Sequence, residues 1–259
     1  MCPAMHNDTW SAADLHIHTT ASDGVASPEE VLEWVCSATD LKVIVITDHN
    51  TNAGALEAAE LVSSKEYPVE VIVGQEVESA DGHILGLWTP ERIDPGMPAA
   101  ETVAAIHAQG GFAIAAHPFA PRFWAKAGLD RGSRRVYDAV GYDGMEIANS
   151  TPLLFVANWM ARFYQRSRGD RFACTGGSDA HILPVIGTSR TYFRGETAAE
   201  LRCALEERTT HVSLPGFSPM RNWRYARHVP RIMANDRVRR AREVEEGIRE
   251  PKAKRAQRP

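Results

Sequence analysis

Two histidines separated by one residue lie in a short apolar segment near the start of the chain. The segment reads DLHIHTTASDG, from Asp14 to Gly24, and contains His16, His18 and Asp23. Alternate residues of a strand point to the same face, so His16 and His18 are expected side by side, with Asp23 in the following turn. Imidazoles beside a carboxylate are suited to binding a cation and poorly suited to filling a hydrophobic core. The segment therefore predicts part of a metal site.

Further histidines and carboxylates follow apolar segments along the chain, in TDHN, GQE, HILG, AHP and GSDAH. A parallel α/β fold gathers its chemistry at the strand ends, where these motifs are expected. A lone histidine at a strand end is more often structural, so the prediction depends on the motifs occurring together. They give nine candidate metal ligands: His16, His18, Asp23, His49, Glu76, His83, His117, Asp179 and His181.

Three more carboxylates lie near these motifs. Asp14 and Asp48 are predicted to orient histidine rings through the second ring nitrogen, with helix or turn capping as the alternative. Glu146 follows a predicted strand and is equally compatible with a solvated strand-end carboxylate. The sequence leaves the role of Glu146 open.

Seven apolar, β-branched segments predict strands, and four segments with helical start and stop signals predict helices. The predicted strands are Leu15–His18, Val43–Thr47, Val69–Val73, Ile84–Trp88, Phe112–Ala116, Met145–Ala148 and Phe172–Cys174. The predicted helices lie in SPEEVLEWVCSATD, AAETVAAIHAQGG, LLFVANWMARFYQRSRG and ETAAELRCALEER. Repeated alternation of strands and helices is typical of a parallel α/β sheet or barrel.

The chain resembles the polymerase-and-histidinol-phosphatase (PHP) family of metal-dependent phosphoesterases in six ordered motifs: DLHIHTTASDG, TDHN, GQE, HILG, HP and GSDAH. The resemblance extends from Asp14 to about residue 220. It implies an α/β fold of the PHP type, a distorted seven-stranded β/α (TIM-like) barrel. It also implies a trinuclear metal centre at the carboxyl ends of the strands.

The resemblance further implies how the ligands are shared among the ions. One ion would take His16, His18, Glu76 and Asp179. A second would take Glu76, His83 and His117, with Glu76 as the bridge. The third would take Asp23, His49 and His181. Asp23 replaces a histidine found in some members, and an oxygen ligand favours harder ions such as Mn²⁺ or Fe²⁺. We expect two to three divalent ions, with Mn, Fe or Zn favoured and Mg possible.

A divalent cluster of this kind makes hydroxide available near neutral pH and neutralises phosphate oxygens. We therefore predict a hydrolase acting on phosphoric ester bonds, in which a metal-bridging hydroxide attacks phosphorus. Glu76, Asp179 and His49 would support that nucleophile. The expected substrate is a small phosphate ester: a nucleoside phosphate, a cyclic phosphate or a sugar phosphate.

Substrate contacts are predicted in the segment that follows His117 and beside the candidate ligands. Arginine binds phosphate in a bidentate manner, and a loop leaving the metal face is a suitable place for such a residue. The predicted substrate-binding residues are Arg122, Lys126, Arg134, Asn149 and Ser178. Solvated surface charge is the alternative for most of the basic residues.

Charge divides the chain at about residue 220. Residues 221–259 carry 13 basic and 5 acidic side chains, a net charge of +8, whereas residues 1–220 carry a net charge of −12. We expect a PHP metallo-phosphoesterase domain over residues 1–220. Residues 221–259 are expected to form a basic C-terminal extension, partly helical or disordered. The extension is either solvated or an electrostatic contact for RNA, another acidic partner or the acidic body itself.

Two other functions remain open. An exonuclease on short RNA or DNA would use the basic extension as a handle, although the negative body disfavours broad nucleic-acid binding. A metal-bound regulatory module without catalysis is the second alternative, although none of the nine ligand positions is lost. Neither a signal peptide nor a membrane span is evident, and a cytoplasmic enzyme without an obligatory protein partner is expected.

Overall fold

The structure is a computed structural model that describes residues 9–120, 137–152, 154–169, 171–213 and 218–248. Nine strands and six helices lie within these ranges. The strands are β1 (Trp10–Ile17), β2 (Leu41–Ile46), β3 (Glu70–Glu78), β4 (His83–Leu87), β5 (Phe112–Ala115), β6 (Gly144–Asn149), β7 (Ala173–Gly177), β8 (Arg190–Arg194) and β9 (His211–Ser213). The helices are α1 (Pro28–Ala38), α2 (Ala53–Lys65), α3 (Ala99–Ala108), α4 (Phe155–Ser167), α5 (Ala198–Glu206) and α6 (Pro219–Glu245).

All nine strands belong to one sheet, in the order β7-β6-β5-β4-β3-β2-β1-β8-β9. Strands β1, β2 and β3 run parallel, as do β5, β6 and β7, whereas β4 is antiparallel to both of its neighbours. Helices occupy most of the connections between parallel strands, as the right-handed crossover of such strands requires. The carboxyl ends of β1, β2 and β3 therefore meet at one edge of the sheet.

The sheet curves until its two distant parts meet. The segment after β7 pairs with the end of β1: the backbone N–H of His18 donates to Ala180 O at 2.9 Å, and the backbone N–H of Ala180 donates to His16 O at 3.3 Å. The Gly176 N–H also donates to the hydroxyl of Thr191 on β8 at 2.9 Å. The result is a nearly closed barrel in which His16, His18 and the residues after β7 share one end.

The hydrophobic core consists of three clusters of buried side chains. One buried cluster contains Leu15, Val45, Ile72, Leu85 and Ile114, one from each of the first five strands. A second cluster packs β1 and β2 against α1 and α2, and a third packs β4, β5 and β6 against α3 and α4. Burial of these apolar side chains is the main favourable term for the fold.

Two helices begin with the capping signals that the sequence shows. Ser27 accepts a hydrogen bond from the backbone of Glu30, and the Glu30 side chain accepts one from Ser27 N, which together form a capping box for α1. Thr197 and Glu200 form the same arrangement at α5. Each box satisfies two backbone N–H groups that a helix start otherwise leaves without a partner.

The fold agrees with the predicted barrel-type α/β class, and all seven predicted strands are present. The sheet has nine strands rather than seven because β8 and β9 continue it antiparallel beyond β1. Helix α2 was also absent from the prediction. Asn52 at its start makes no side-chain capping bond, and its buried residues are only Gly54, Ala55 and Ala58. The usual helical signals are therefore weak in that segment.

Helix α6 is the longest helix and contains most of the basic residues that follow position 220. Ser218 caps it by accepting a hydrogen bond from Arg221 N, and Pro219 occupies its first turn. Tyr225 and Ile232 are buried in the cluster that contains α1 and α2. None of the helices in the described ranges, α6 included, is both long and apolar enough to cross a membrane.

Candidate metal centre

The structure brings all nine predicted ligand residues to one end of the barrel. His16 is the penultimate residue of β1, and His18 follows that strand directly, with their ring centroids 5.1 Å apart. The backbone of residues 48–50 continues the β2 ladder, because Asn50 N donates to Glu76 O at 2.9 Å and Glu76 N donates to Asp48 O at 3.1 Å. The nearby side chains form four groups with ligand atoms within 4.8 Å: His18, Asp23, His49 and His181; His16, His117 and Asp179; His16, His18 and Glu76; and His49, Glu76 and His83.

Glu76 lies at the centre of these groups and is 1% exposed. Its carboxylate oxygens are 2.8 to 3.4 Å from a ring nitrogen of each of five histidines: His83, His117, His49, His16 and His18. A single buried carboxylate in contact with five imidazoles is an arrangement suited to bridging cations. Glu76 reaches the end of the barrel that carries the histidines because β3 pairs in parallel with β2.

Asp179 and Asp23 lie on two sides of His18. Asp179 Oδ1 is 3.2 Å from His18 Nε2 and 3.5 Å from His16 Nε2. Asp23 Oδ1 is 3.3 Å from His181 Nε2 and 3.8 Å from His18 Nδ1. The four groups differ from the implied partition in three respects: His18 also belongs to the Asp23 group, His49 also joins Glu76 and His83, and His117 joins His16 and Asp179.

Several buried ring nitrogens in this cluster have no hydrogen bond to the residues that the structure describes. They are His16 Nε2, His18 Nδ1, His18 Nε2 and His49 Nδ1. Each lies 3.1 to 3.8 Å from a carboxylate oxygen. Buried polar atoms are nearly always satisfied, so nitrogens that converge with carboxylates in this way fit a divalent cation. The donor set of six imidazoles and three carboxylates is of the kind that binds divalent cations.

Unusual backbone conformations accompany two of the nine residues. His117 has a φ of 29° and Asp179 a φ of 53°, both in the left-handed region that few non-glycine residues adopt. Each residue follows a strand end, where this conformation redirects the side chain. Strain of this kind is found at functional sites. Gly177 is required for a different reason, because a Cβ there would lie 2.4 Å from His16 Cβ and 2.7 Å from Glu146 Oε1.

The cluster perturbs its own protonation equilibria. Burial raises the pKa of Glu76, but the interactions of its carboxylate with His49, His83 and His16 outweigh burial and hold this pKa well below its usual range. Asp179 has a lowered pKa for the same reason: His16, His18 and His181 oppose the effect of burial. All three central carboxylates, Asp23 included, are therefore ionised at neutral pH, as metal ligands must be.

The histidines respond in both directions. Burial lowers the pKa of His49 to about 3, although Glu76 and Asp23 act in the opposite sense. Burial also disfavours the charged form of His181, but the adjacent Asp23 carboxylate prevails and raises the pKa of His181 to about 10. His49 is thus ready to bind a cation at neutral pH, whereas His181 must first release a proton.

A second layer of side chains holds the cluster in place. Glu146 is 1% exposed, with Oε1 3.0 Å from His16 Nδ1 and Oε2 accepting a hydrogen bond from His117 N at 2.8 Å. It is therefore not a solvated strand-end residue. Asp179 Oδ2 accepts hydrogen bonds from Thr151 Oγ1 at 2.8 Å and from Asn149 Nδ2 at 3.2 Å.

Asp14 and Asp48 were predicted to orient histidine rings, and this prediction is wrong. Among the described residues, neither carboxylate forms a hydrogen bond with a histidine ring. Asp14 accepts from the backbone N–H groups of His16, Ser178 and Gly187 at 2.7 to 3.3 Å. Asp48 accepts from the Thr19 backbone and hydroxyl and from the Ser22 hydroxyl at 2.5 to 2.7 Å. Both carboxylates fix the backbone around the ligands instead.

The predicted substrate-binding residues have different positions. Arg122, Lys126 and Arg134 lie outside the described residues. Asn149 is buried and donates to Glu146 and Asp179, so its amide is engaged within the protein. Ser178 is fully buried, with its hydroxyl 3.3 Å from His16 O. These contacts make Asn149 and Ser178 supports of the cluster.

A cavity of about 410 Å³ opens in front of the cluster. It is lined by candidate ligands, among them Glu76, His83 and Asp179, and by residues of helix α6. The α6 residues that line it are Tyr225, Val229, Ile232, Met233, Asp236 and Arg240. None of these α6 residues was among the predicted site residues. They are spaced by four, three, one, three and four residues, which places them on one face of a helix. This periodicity is the sequence signal that could have assigned them to the site.

Comparison with protein-family models identifies two regions of the chain. A PHP domain model matches residues 14–118, and a PHP-associated model matches residues 156–210. The first range contains seven of the nine candidate ligands, and the second contains Asp179 and His181. Helix α6 lies outside both ranges.

Curated relatives share parts of the same sequence. An uncharacterized protein of Methanocaldococcus jannaschii is 39% identical over 149 residues, which are 53% of this chain and 81% of that protein. A 5′-3′ exoribonuclease of Haemophilus influenzae is 42% identical over 78 residues, or 29% of this chain and 27% of that protein. A 3′,5′-nucleoside bisphosphate phosphatase of Chromobacterium violaceum is 34% identical over 90 residues, or 33% and 29%. The chain thus spans less than a third of the two named enzymes.

Among solved structures, a two-domain protein of Bacteroides vulgatus has a similar fold. That protein is described as containing a predicted PHP-like metal-dependent phosphoesterase, and the two chains superpose with a TM-score of 0.63 at 18% identity. The superposition covers 83% of this chain and 68% of that one. At this identity the likeness concerns the fold alone.

Proposed function

This chain belongs to the PHP family of metal-dependent phosphoesterases, and we propose that it hydrolyses a small phosphate ester at the cluster around Glu76. The observation that carries the proposal is the convergence of six histidines and three carboxylates in one cluster, seven of which line a single cavity. A nucleoside phosphate, a cyclic phosphate or a sugar phosphate is the proposed substrate. The cavity volume of about 410 Å³ lies within the usual range for small-molecule sites, about 300–1,000 Å³.

The nine residues would hold two to three divalent ions. Ions bound at such a cluster lower the pKa of water to about 7 and neutralise the oxygens of a phosphate group. Glu76 would contribute the central carboxylate, since it reaches five imidazoles at once. Asp179 and Asp23 would supply anionic oxygens on either side of His18.

The surrounding residues determine how rigidly these groups are presented. Glu146 fixes the ring of His16 and the backbone of His117, and Thr151 holds one oxygen of Asp179 so that the other faces His16 and His18. Asp48 fixes the turn that carries Asp23. Preorganised polar groups of this kind act without reorganisation during the reaction, which is the main way in which such sites accelerate phosphoryl transfer.

A test would supply Mn²⁺, Fe²⁺, Zn²⁺ and Mg²⁺ in turn and measure turnover of phosphomonoesters, phosphodiesters and cyclic phosphates. His18→Ala is expected to reduce turnover below detection. His107→Ala is the matched control, because His107 lies on α3, is exposed and pairs with Asp143 away from the cluster. An inactive wild-type protein with every ester and metal, or full activity of His18→Ala, would overturn the proposal.

A second candidate is exonucleolytic removal of nucleotides from the end of a short RNA. It is favoured by the similarity to the Haemophilus influenzae exoribonuclease and by the exposed arginines of α6, which are Arg224, Arg227, Arg231, Arg237 and Arg242. Contacts of such residues with a nucleic-acid backbone weaken steeply with salt. Cleavage of a short oligoribonucleotide that falls with salt more steeply than hydrolysis of a mononucleotide would favour this candidate.

A further inference from the structure

Helix α6 contributes a guanidinium group to the cavity in front of the cluster. Arg240 lines this cavity together with Glu76, His83 and Asp179. The helix lies outside both ranges that match the family models, so its contribution is a feature of this chain beyond the matched regions. Its role with respect to the substrate can be examined from its contacts.

The Arg240 side chain is held in one orientation by two carboxylates. Its Nε donates to Asp236 Oδ2 at 2.6 Å and to Asp236 Oδ1 at 2.8 Å, one helical turn earlier. Its Nη2 is 3.5 Å from Glu78 Oε1. Glu78 lies two residues after Glu76 on β3, so Arg240 is tied to the strand that carries the central ligand.

One nitrogen of the Arg240 guanidinium group has no hydrogen-bond partner among the described residues. Arg240 Nη1 is buried and makes no hydrogen bond to any of the residues in the described ranges. A buried N–H group without a partner is costly, which favours a partner supplied by a bound molecule. Arg240 lines the cavity, so a substrate bound there would lie beside its guanidinium group.

A second buried arginine anchors the same part of α6. Arg239 is 5% exposed and donates to Glu78 Oε1 at 2.8 Å and to Glu243 Oε1 at 2.5 Å. Arg239 and Arg240 together face three carboxylates, so their positive charge is already compensated. The free N–H of Arg240 would therefore act as a directional hydrogen-bond donor rather than as part of a basic patch.

Next to Arg240 the wall of the cavity is apolar. Val229, Ile232 and Met233 project from the same face of α6. A phosphate at the cluster would place its ester group in the cavity that this apolar wall also lines. A leaving group with an apolar body and oxygen acceptors, such as a nucleoside, matches both features.

We propose that Arg240 is a specificity-determining residue that donates a hydrogen bond from Nη1 to an oxygen of the leaving group. The acceptor is a sugar hydroxyl or a second phosphate, and α6 packs against the remainder of the leaving group. This inference rests on the proposed phosphoesterase function and adds a preference for leaving groups that carry such an oxygen.

The test compares three substrates: phenyl phosphate, whose leaving group has no further oxygen, adenosine 5′-monophosphate and adenosine 3′,5′-bisphosphate. Arg240→Gln is expected to reduce kcat/KM for the two nucleotides about 10- to 100-fold, mainly through KM, and for phenyl phosphate less than about twofold. A larger loss for the bisphosphate identifies the second phosphate as the acceptor, and equal losses identify a sugar hydroxyl. Arg166→Gln, which changes an exposed arginine on α4, is the matched control and should change neither.

Two further measurements test the contact of Arg240 with the leaving group even if Arg240→Gln misfolds or the protein does not hydrolyse the esters. Arg240→Lys keeps the charge but cannot place a second nitrogen where Nη1 lies, so it serves if Arg240→Gln lowers Tm or metal content. Calorimetric titration of adenosine 5′-monophosphate into manganese-loaded protein measures binding without turnover. Equal affinities of wild type and both variants, or equal losses for phenyl phosphate and the nucleotides, would overturn the inference even if phenyl phosphate is hydrolysed.

Discussion

Glu146 Oε1 lies 3.0 Å from Nδ1 of His16, on the side of the ring opposite to the Nε2 atom that faces Glu76 and Asp179. A carboxylate on the second nitrogen of a metal-binding imidazole fixes its tautomer and raises its basicity. The pair joins β6 to β1, two strands that are far apart in the sheet order.

Replacement of Glu146 should weaken metal binding without removing a ligand. For Glu146→Ala we expect a 10- to 100-fold lower metal affinity, because His16 loses its orienting partner. Glu146→Gln should have a smaller effect, since its amide oxygen can still face Nδ1. Competition with a chromophoric chelator measures the affinity, and Glu101→Ala, which changes an exposed carboxylate on helix α3, is the control. An unchanged affinity in Glu146→Ala would contradict the orienting role.

Arg239 should be important for stability rather than for metal affinity. Removing one partner of a buried ion pair leaves the other charge without compensation, which typically costs about 3–5 kcal/mol. Arg239→Met leaves Glu78 and Glu243 without this cation, so we expect a loss of about that size in the free energy of unfolding. Urea denaturation measures it. The control, Arg237→Met, is exposed and should remain within about 0.5 kcal/mol of wild type. Equal stabilities of the two variants would refute the prediction.

The predictable part of this protein was the part in which each residue carries a strong local signal. The strands ending near His16, Glu76 and His117 have apolar periodicity, and the ligands are residue types that a core does not favour. Because strand ends gather in α/β folds, the meeting of distant motifs could be predicted from order alone. Strand β9 has three residues and α2 lacks a side-chain cap, so neither had a comparable signal.

Supporting residues were harder to predict because their roles depend on three-dimensional neighbours. Asp14 and Glu146 are both carboxylates on strands. Asp14 accepts hydrogen bonds from backbone N–H groups, whereas Glu146 contacts the ring of His16. Nothing local distinguishes the two. Charge composition indicated a basic extension after residue 220, but the contact of Arg239 with Glu78 joins residues 161 positions apart. Composition does not specify such a pairing.

Metal removal and replacement should distinguish nitrogen-rich from oxygen-rich coordination. Six of the nine candidate ligands are histidines, and Mg²⁺ prefers oxygen ligands. After treatment with a chelator we expect hydrolysis of a phosphate ester to be lost. Mn²⁺, Fe²⁺ or Zn²⁺ should restore hydrolysis. At equal concentration, the rate with Mg²⁺ should be at least tenfold lower. Restoration by Mg²⁺ alone would contradict the assigned donor set.

The stability of the metal-free protein should depend on pH through His181. Burial disfavours its charged form, but Asp23 raises the pKa of His181 to about 10, above the 6.5 of an unperturbed histidine. A raised pKa in the folded state means that the native protein holds the proton more tightly than the unfolded chain does. The stabilisation is therefore complete below pH 6.5 and is lost as the pH rises toward 10. His16 and His117, whose pKa values are also raised, act in the same direction.

Scanning calorimetry of chelator-treated protein between pH 6.5 and 10 should show a falling Tm. In Asp23→Asn the decline should be shallower, because the charge that holds the His181 proton is gone. Asp94→Asn, which changes an exposed carboxylate, should leave the decline as it is in wild type. Metal binding near pH 7.5 should also release a proton from His181, measurable as a dependence of the binding heat on buffer ionisation enthalpy. A Tm that stays level across this range would show that Asp23 does not hold His181 in its protonated form.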